Sequence, residues 1–172
     1  MGLLDGKTAL IVGVANKRSI AWAIAEQLAG QGARCAFTFQ NGRVEDDVRA
    51  LAETLPNPGP VLPLDVQDDV QMAAAVNGAA EGLGGLDILV HAVAFARQED
   101  LGGRFVDTDR DGFQLALDIS AYSLAAMARL AEPHMAPRGG GSIMTLSYIA
   151  AERAVPGYNV MGVAKSTLES IV

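Results

Sequence analysis

The 172-residue chain has one cysteine, two histidines and one tryptophan, and aromatic residues make up only 5% of it. A lone cysteine, Cys35, excludes an internal disulfide framework, and two histidines offer no cluster of metal ligands. Cys35 lies in an apolar run and reads as a small core residue. Basic residues are scarce too, 13 against 20 acidic ones, for a formal net charge of −7 at pH 7. That balance lacks the basic stripe of a general nucleic-acid binder and the polybasic surface that anionic membranes attract. The longest apolar run, from Ile88 to Ala96, contains His91 and falls far short of the roughly 20 residues that span a bilayer. Residues 1–5 lack the basic flank and apolar stretch of a signal peptide, and Gly6 stands where a myristoylation signal needs Ser or Thr. These absences predict a soluble, cytoplasmic protein with no metal, nucleic-acid or membrane partner.

Aliphatic and small residues are what the chain has in plenty. Half of it is apolar, and glycine is frequent at 19 residues. The length suits a single domain over residues 1–172, on a prior of roughly 100–200 residues each. Short apolar runs alternate with longer amphipathic stretches. Strands are predicted at 8–14 (TALIVGV), 34–39 (RCAFTF), 61–64, 86–93 (LDILVHAV) and 142–147 (SIMTLS). Helices are predicted at 19–29, 44–55, 69–83 and 112–134, with a last one starting near Pro156 or Gly157. Residues 97–110 read as a polar loop. Such alternation predicts an α/β fold: a doubly wound, Rossmann-like parallel sheet with helices on both faces.

In that architecture ligands bind at the carboxyl ends of the strands. The residues that break the apolar patterns fall there: Gly13, Gln40, Asp65, His91 to Ala96, and Ser147 with Tyr148. The first turn, G-V-A-N-K-R-S-I-A at 13–21, is not a G-x-G-x-x-G fingerprint. Gly13 still permits a tight turn, Ala15 a close approach, and Ser19 a cap on a helix whose free N–H groups can hold a pyrophosphate. An ordinary capped βα turn uses the same residues, and this segment does not choose between the two. Gln40 stands where an acidic residue often holds the adenosine ribose. Gln40-Asn41-Gly42 offers no basic residue before Arg43, so NADH is favoured over NADPH. Asp65 and Val66 could flank the adenine, with Asp68 and Asp69 capping the next helix. Tyr158 and Lys165 are seven residues apart on the last helix, two turns, and so share a face. A lysine beside a tyrosine lowers the phenol's pKa and readies it as a proton donor or oxyanion partner. His91 and His134 read as structural.

Four segments carry a family resemblance: residues 13–21, F-T-F-Q-N at 37–41, L-D-I-S at 117–120, and L-S-Y-I-A-A-E-R-A-V-P-G-Y-N-V-M-G-V-A-K at 146–165. From Leu3 to Val172 the chain resembles the NADH-dependent enoyl-(acyl-carrier-protein) reductases of bacterial type II fatty acid synthesis. That group is a divergent branch of the short-chain dehydrogenase/reductases. Ordinary members of the superfamily carry Tyr-x₃-Lys, but position 161 is Met161, and their N-N-A-G is replaced by His91-Ala92-Val93-Ala94. Ala94 and Ala121 depart from the glycine and serine usual in the reductase branch.

The resemblance implies hydride transfer from NADH to the β-carbon of a trans-2-enoyl thioester. Gly13, Ser19, Ile20, Gln40, Asp65, Val66 and Val93 would hold the cofactor, with Lys165 on the nicotinamide ribose. Tyr148, Tyr158 and Lys165 would form the catalytic group, Tyr158 stabilising the enolate oxygen. Tyr148 and Met161 would line the acyl pocket, and Ala96 would touch substrate. It also implies an acyl carrier protein as partner, a homotetramer, and a C-terminal part with two further strands and a substrate-covering loop that would follow Val172. Two other readings stay open: a non-catalytic dinucleotide-binding fragment, and an ordinary carbonyl reductase, which Met161 disfavours.

Overall fold

A computed structural model describes residues Gly2–Val172. Five parallel strands form one sheet in the order β3-β2-β1-β4-β5. They are β1 (Thr8–Val12), β2 (Arg34–Phe39), β3 (Val61–Pro63), β4 (Ile88–His91) and β5 (Ser142–Thr145). The helices are α1 (Ile20–Gly30), α2 (Gly42–Glu53), α3 (Asp69–Leu83), α4 (Gln98–Leu101), α5 (Arg110–Leu117), α6 (Ser123–Met135) and α7 (Asn159–Ile171). The residues divide into two compact units. The first runs up to Ala92 and resumes over Met127–Thr145; the second comprises Val93–Ala126 and Leu146–Val172.

The first unit contains the whole sheet, and its central strand β1 is buried at all five residues. Parallel strands covered on both faces need apolar side chains on both, which is why TALIV shows no polar alternation. Ala9 and Ile11 align with Cys35 and Phe37 of β2 and with Ile88 and Val90 of β4. These side chains form one face and pack against Trp22 and Ala25 of α1 and Val48 and Ala52 of α2. Trp22 and Phe37 meet with ring centroids 5.9 Å apart. Leu10, Ala36 and Leu89 are fully buried on the opposite face. There α3 lies across β1, β2 and β3. Its reversed crossover, from β3 back to β4, puts it on that side when every connection is right-handed. At the sheet border, Ile143 and Met144 of β5 are exposed.

Several predicted boundaries move. The first strand ends at Val12, because Gly13 takes φ +104°, a left-handed value that a strand does not use. The fourth keeps only Ile88–His91, and the fifth stops at Thr145. The expected helix over 112–134 is two helices, α5 and α6, joined by a π turn over Asp118–Tyr122. Three consecutive residues there, Ile119, Ser120 and Ala121, are buried, and a regular helix with one buried stripe does not offer that. The predicted polar loop holds α4 and a 3₁₀ turn, Phe105–Asp107.

At the amino ends of the strands, Asp87 closes the sheet. Its carboxylate is 4% exposed and accepts from the Thr8 N–H at 2.9 Å, the Thr8 hydroxyl at 3.0 Å, Lys7 Nζ at 3.1 Å and Arg138 Nη2 at 2.7 Å. Burial alone would raise its pKa. The hydrogen bonds from Arg138, Lys7 and Thr8 outweigh that and hold it well below the usual carboxylate range. A carboxyl depressed in the folded state stabilises fully above its unfolded pKa, roughly 3.9, and loses that as pH falls through the folded value. Asp87→Ala is therefore expected to cost about 1–3 kcal/mol at neutral pH, chiefly because the buried Thr8 N–H loses its acceptor. Urea unfolding should show the gap between parent and variant narrowing below pH ~4.

Candidate active site

In the first unit the strand carboxyl ends carry the predicted nucleotide residues. Gly13 follows β1, and a Cβ placed on it would collide with the carbonyl of Ala92, beyond β4. The turn then folds on itself: Asn16 Oδ1 accepts from Arg18 N–H, and Ser19 Oγ accepts from the N–H groups of Ala15 and Asn16 at 3.0 and 3.1 Å. Ser19 is the residue before α1 but makes no side-chain cap, contrary to the sequence reading. The turn's own N–H groups take its hydroxyl, and α1 opens with no acidic residue in its first turn. The neighbouring helices differ. Asn41 caps α2 and Asp68 caps α3, each with an acidic residue in the first turn, Glu45 and Asp69. The N-terminus of α1 is thus left with its dipole unopposed, as an anion site requires.

Ile20, the first residue of α1, is 64% exposed. Gln40 is exposed at the end of β2, and Val66 is buried beyond β3. Asp65 accepts from Gln67 N–H through Oδ1, and its own N–H donates to Gln71 Oε1. His91 ends β4 fully buried, with Nδ1 3.2 Å from Thr145 Oγ1. Burial pushes the Cys35 thiol up to about 11, in keeping with a core role. His134 meets Asn77 Oδ1 through Nε2 at 2.7 Å.

The second unit brings together the residues predicted for chemistry. Val93 and Ala96 are half-buried in an irregular stretch, 92–97, that precedes α4. Tyr148 and Tyr158 meet in a tilted pair with ring centroids 4.7 Å apart at 44°. Tyr158 takes the cap position before α7, because the helix starts at Asn159, two or three residues after the expected start near Pro156 or Gly157, while Met161 and Lys165 are buried along α7. Lys165 Nζ donates to the Leu146 carbonyl at 2.6 Å, and one turn on, the Ser147 hydroxyl donates to Glu169. A Cβ on Gly162 would press on the Ala150 carbonyl, so α7 lies close against the 149–151 turn. Beside it a groove of about 400 Å3 is lined by Phe105, Val155, Tyr158, Asn159, Gly162 and Val163.

The electrostatics correct one expectation. Tyr158 is pushed up from the ordinary phenol value, by burial first and by Tyr148 second, and is not lowered by Lys165. Lys165 itself is lowered by burial, and its ammonium is aimed at a carbonyl. Tyr158 is therefore a protonated hydroxyl across the physiological range, a hydrogen-bond donor that is no phenolate. Two contacts escaped the sequence reading. Asn159 Nδ2 donates to the Gly102 carbonyl at 2.7 Å, and Ser120 Oγ bonds the main chain of Phe95. Ser120 lies within the L-D-I-S segment, the only signal that pointed to it. Among the described residues no group of three or more His, Cys, Asp or Glu converges as a metal site, and no helix is long and apolar enough to cross a membrane.

A 3-2-1-4-5 parallel sheet with a glycine turn after β1 and an unopposed helix N-terminus places the molecule among Rossmann-type dinucleotide-binding proteins. Residues 13–172 match the family model described as enoyl-(acyl carrier protein) reductase. The chain is 49% identical to the enoyl-(acyl-carrier-protein) reductase (NADH) of Bacillus cereus over all of its length and 67% of that relative. It is 47% identical to the Aquifex aeolicus enzyme of the same name, over 100% of this chain and 63% of that one. Among solved structures, the B. cereus reductase with NADP+ and indole naphthyridinone superimposes with a TM-score of 0.96 at 49% identity, covering 100% of this chain and 66% of that one. The Anaplasma phagocytophilum reductase with NAD gives 0.93 at 44% identity, covering 99% and 64%. The chain belongs to the enoyl-(acyl-carrier-protein) reductase family. It spans about two thirds of the length of the relatives it matches.

The ring pair sets one checkable value. In ultraviolet titration, Tyr148→Phe is expected to move the Tyr158 ionisation down toward, but not to, the ordinary phenol value near 10. Burial, the larger cause, persists when Tyr148 is removed.

Proposed function

We propose that this chain carries the reduction of trans-2-enoyl thioesters, borne by an acyl carrier protein, with NADH as cofactor. The observation that carries the reading is the pairing of a raised, protonated Tyr158 with Tyr148 at the start of α7, within the segment most specific to the family. The dinucleotide fits the first unit on that unit's own geometry: a tight left-handed glycine turn at the end of β1 leads into a helix N-terminus without a capping side chain. Gly13, Ser19, Ile20, Gln40, Asp65 and Val66 would hold it there, and the family likeness also assigns Val93 and Lys165 to the cofactor. When bound, NADH supplies the hydride.

The residues' own work is placement and charge stabilisation. Tyr158 donates its hydroxyl hydrogen bond to the thioester oxygen, where negative charge develops as the β-carbon is reduced. Tyr148 packs on the Tyr158 ring and keeps it oriented. Lys165, anchored on the Leu146 carbonyl, serves the nicotinamide ribose hydroxyls. Met161 and Tyr148 border the acyl chain, and Ala96 touches it. Gln40, with no basic residue beside it, favours NADH, although the B. cereus structure holds NADP+. With the family likeness go assembly as a homotetramer, a single reductase domain and a cytoplasmic setting.

Loss of NADH absorbance with a short trans-2-enoyl thioester tests the reading, run beside a ketone and beside NADPH. Turnover of the enoyl substrate with NADH alone is expected. Turnover of the ketone instead would favour an ordinary carbonyl reductase, and NADH binding without turnover would favour a nucleotide-binding role only. Tyr158→Phe should lower kcat about 10²- to 10³-fold, the usual effect of removing one oxyanion donor, with NADH affinity unchanged.

A further inference from the structure

We propose that Ser120 is a positioning residue, its hydroxyl gripping the main chain of Phe95 and so setting the course of the segment from Val93 to Ala96. Ser120 is fully buried. Its Oγ accepts from the Phe95 N–H at 3.0 Å and donates to the Phe95 carbonyl at 3.2 Å, so one small side chain answers both polar groups of a single residue. A hydroxyl can do this because it offers a donor and acceptor lone pairs on one atom. The stretch 92–97 has no regular structure, so side chains must supply partners that a ladder would otherwise give. Packing does not hold Phe95 by itself, since its ring is half exposed at 49%.

The backbone around Ser120 is shaped for this contact. The π turn Asp118–Tyr122 widens the helix and buries Ile119, Ser120 and Ala121 in succession. Such turns are costly and recur at functional sites. The Ser123 hydroxyl donates to the Ile119 carbonyl at 2.7 Å and so pairs an acceptor within the same turn. The segment so held includes Val93, assigned above to the cofactor, and Ala96, assigned to the substrate. Ser120 touches neither ligand in this scheme and acts through the main chain, by holding in place the segment that would bind them, so its loss falls on binding more than on the chemical step. The proposal rests on the enoyl-reduction reading for its consequence, though not for its geometry.

Ser120→Ala and Ser120→Thr in the full chain test it. Ser120→Ala is expected to speed exchange of the Phe95 amide hydrogen, followed by NMR, about tenfold relative to amides of α5, as the loss of one hydrogen bond would do. The KM for a trans-2-enoyl thioester should rise about tenfold while kcat changes less than about threefold. Ser120→Thr keeps the hydroxyl and should return both values toward the parent. If its extra methyl prevents folding, Ser120→Cys, similar in size and a poor hydrogen bonder, should give an exchange rate between parent and Ala. Unchanged Phe95 exchange in Ser120→Ala overturns the proposal, as does faster exchange with KM and kcat both unaltered. If the parent chain does not turn over, enoyl reduction by this chain fails on that result alone. Phe95 exchange needs no substrate and still decides whether Ser120 holds the segment.

Discussion

Parallel pairing of β1 with both β2 and β4 requires every connection to cross the sheet and return, and the helices that make those crossings cover both faces. β1 must then be apolar at every position, as Thr8–Val12 nearly is, and polar side chains are driven to the two ends. At the amino end that pressure is met by Asp87, which gathers Thr8, Lys7 and Arg138 around one buried carboxylate. At the carboxyl end no buried charge among the described residues gathers the polar groups in this way. Gly13, Gln40 and Asp65 emerge there, and the first helix begins without a cap. One end is closed with charge, and the other is left open to a ligand carrying its own.

The contrast among helix starts turns that opening into chemistry. Asn41 and Asp68 occupy the first N–H groups of α2 and α3, and acidic residues in both first turns answer the positive end of the dipole. Ser19 turns its oxygen back onto Ala15 and Asn16, which stiffens the glycine turn and leaves α1 free. A residue type that usually caps a helix here shapes the approach to it. The same economy governs Lys165. Burial lowers its pKa and the Leu146 carbonyl takes its ammonium, while Tyr158 is raised by its own burial and by Tyr148. Tyr158 keeps its proton across the physiological range.

In the second unit most side chains of interest are held by irregular backbone. Lys165 grips Leu146, Asn159 grips Gly102, and Ser120 grips Phe95, each a side chain bonded to a main-chain carbonyl outside any ladder. Loops that carry function need such ties, because nothing else limits their conformations to one. The π turn belongs with them: it gives up regular helical bonding to bury Ser120 where an even helix would not.

The order of strands and helices was legible in the chain, because apolar runs of strand length alternate with helical periodicity and physics allows few folds for that pattern. The gathering of Gly13, Gln40 and Asp65 at strand ends was legible for the same reason, as were the core placements of Cys35 and His91. The break between α5 and α6, the truncation of β4 and the small helix within 97–110 were not. Their causes are local competitions, such as the left-handed Gly13 against a longer β1, and the buried run 119–121 against a regular helix. Which hydrogen bond each side chain makes was not legible at all. Residue types and spacing determined that Ser19, Tyr158, Lys165 and Ser120 would be polar groups near strand ends or on helices, since side-chain chemistry and periodicity are written in the chain. Only the tertiary structure decided that Ser19 leaves α1 uncapped, that Lys165 points at a carbonyl and that Ser120 clasps Phe95. Each outcome depends on which donor and acceptor lie within about 3 Å, and contacts between residues up to 25 apart are set by packing.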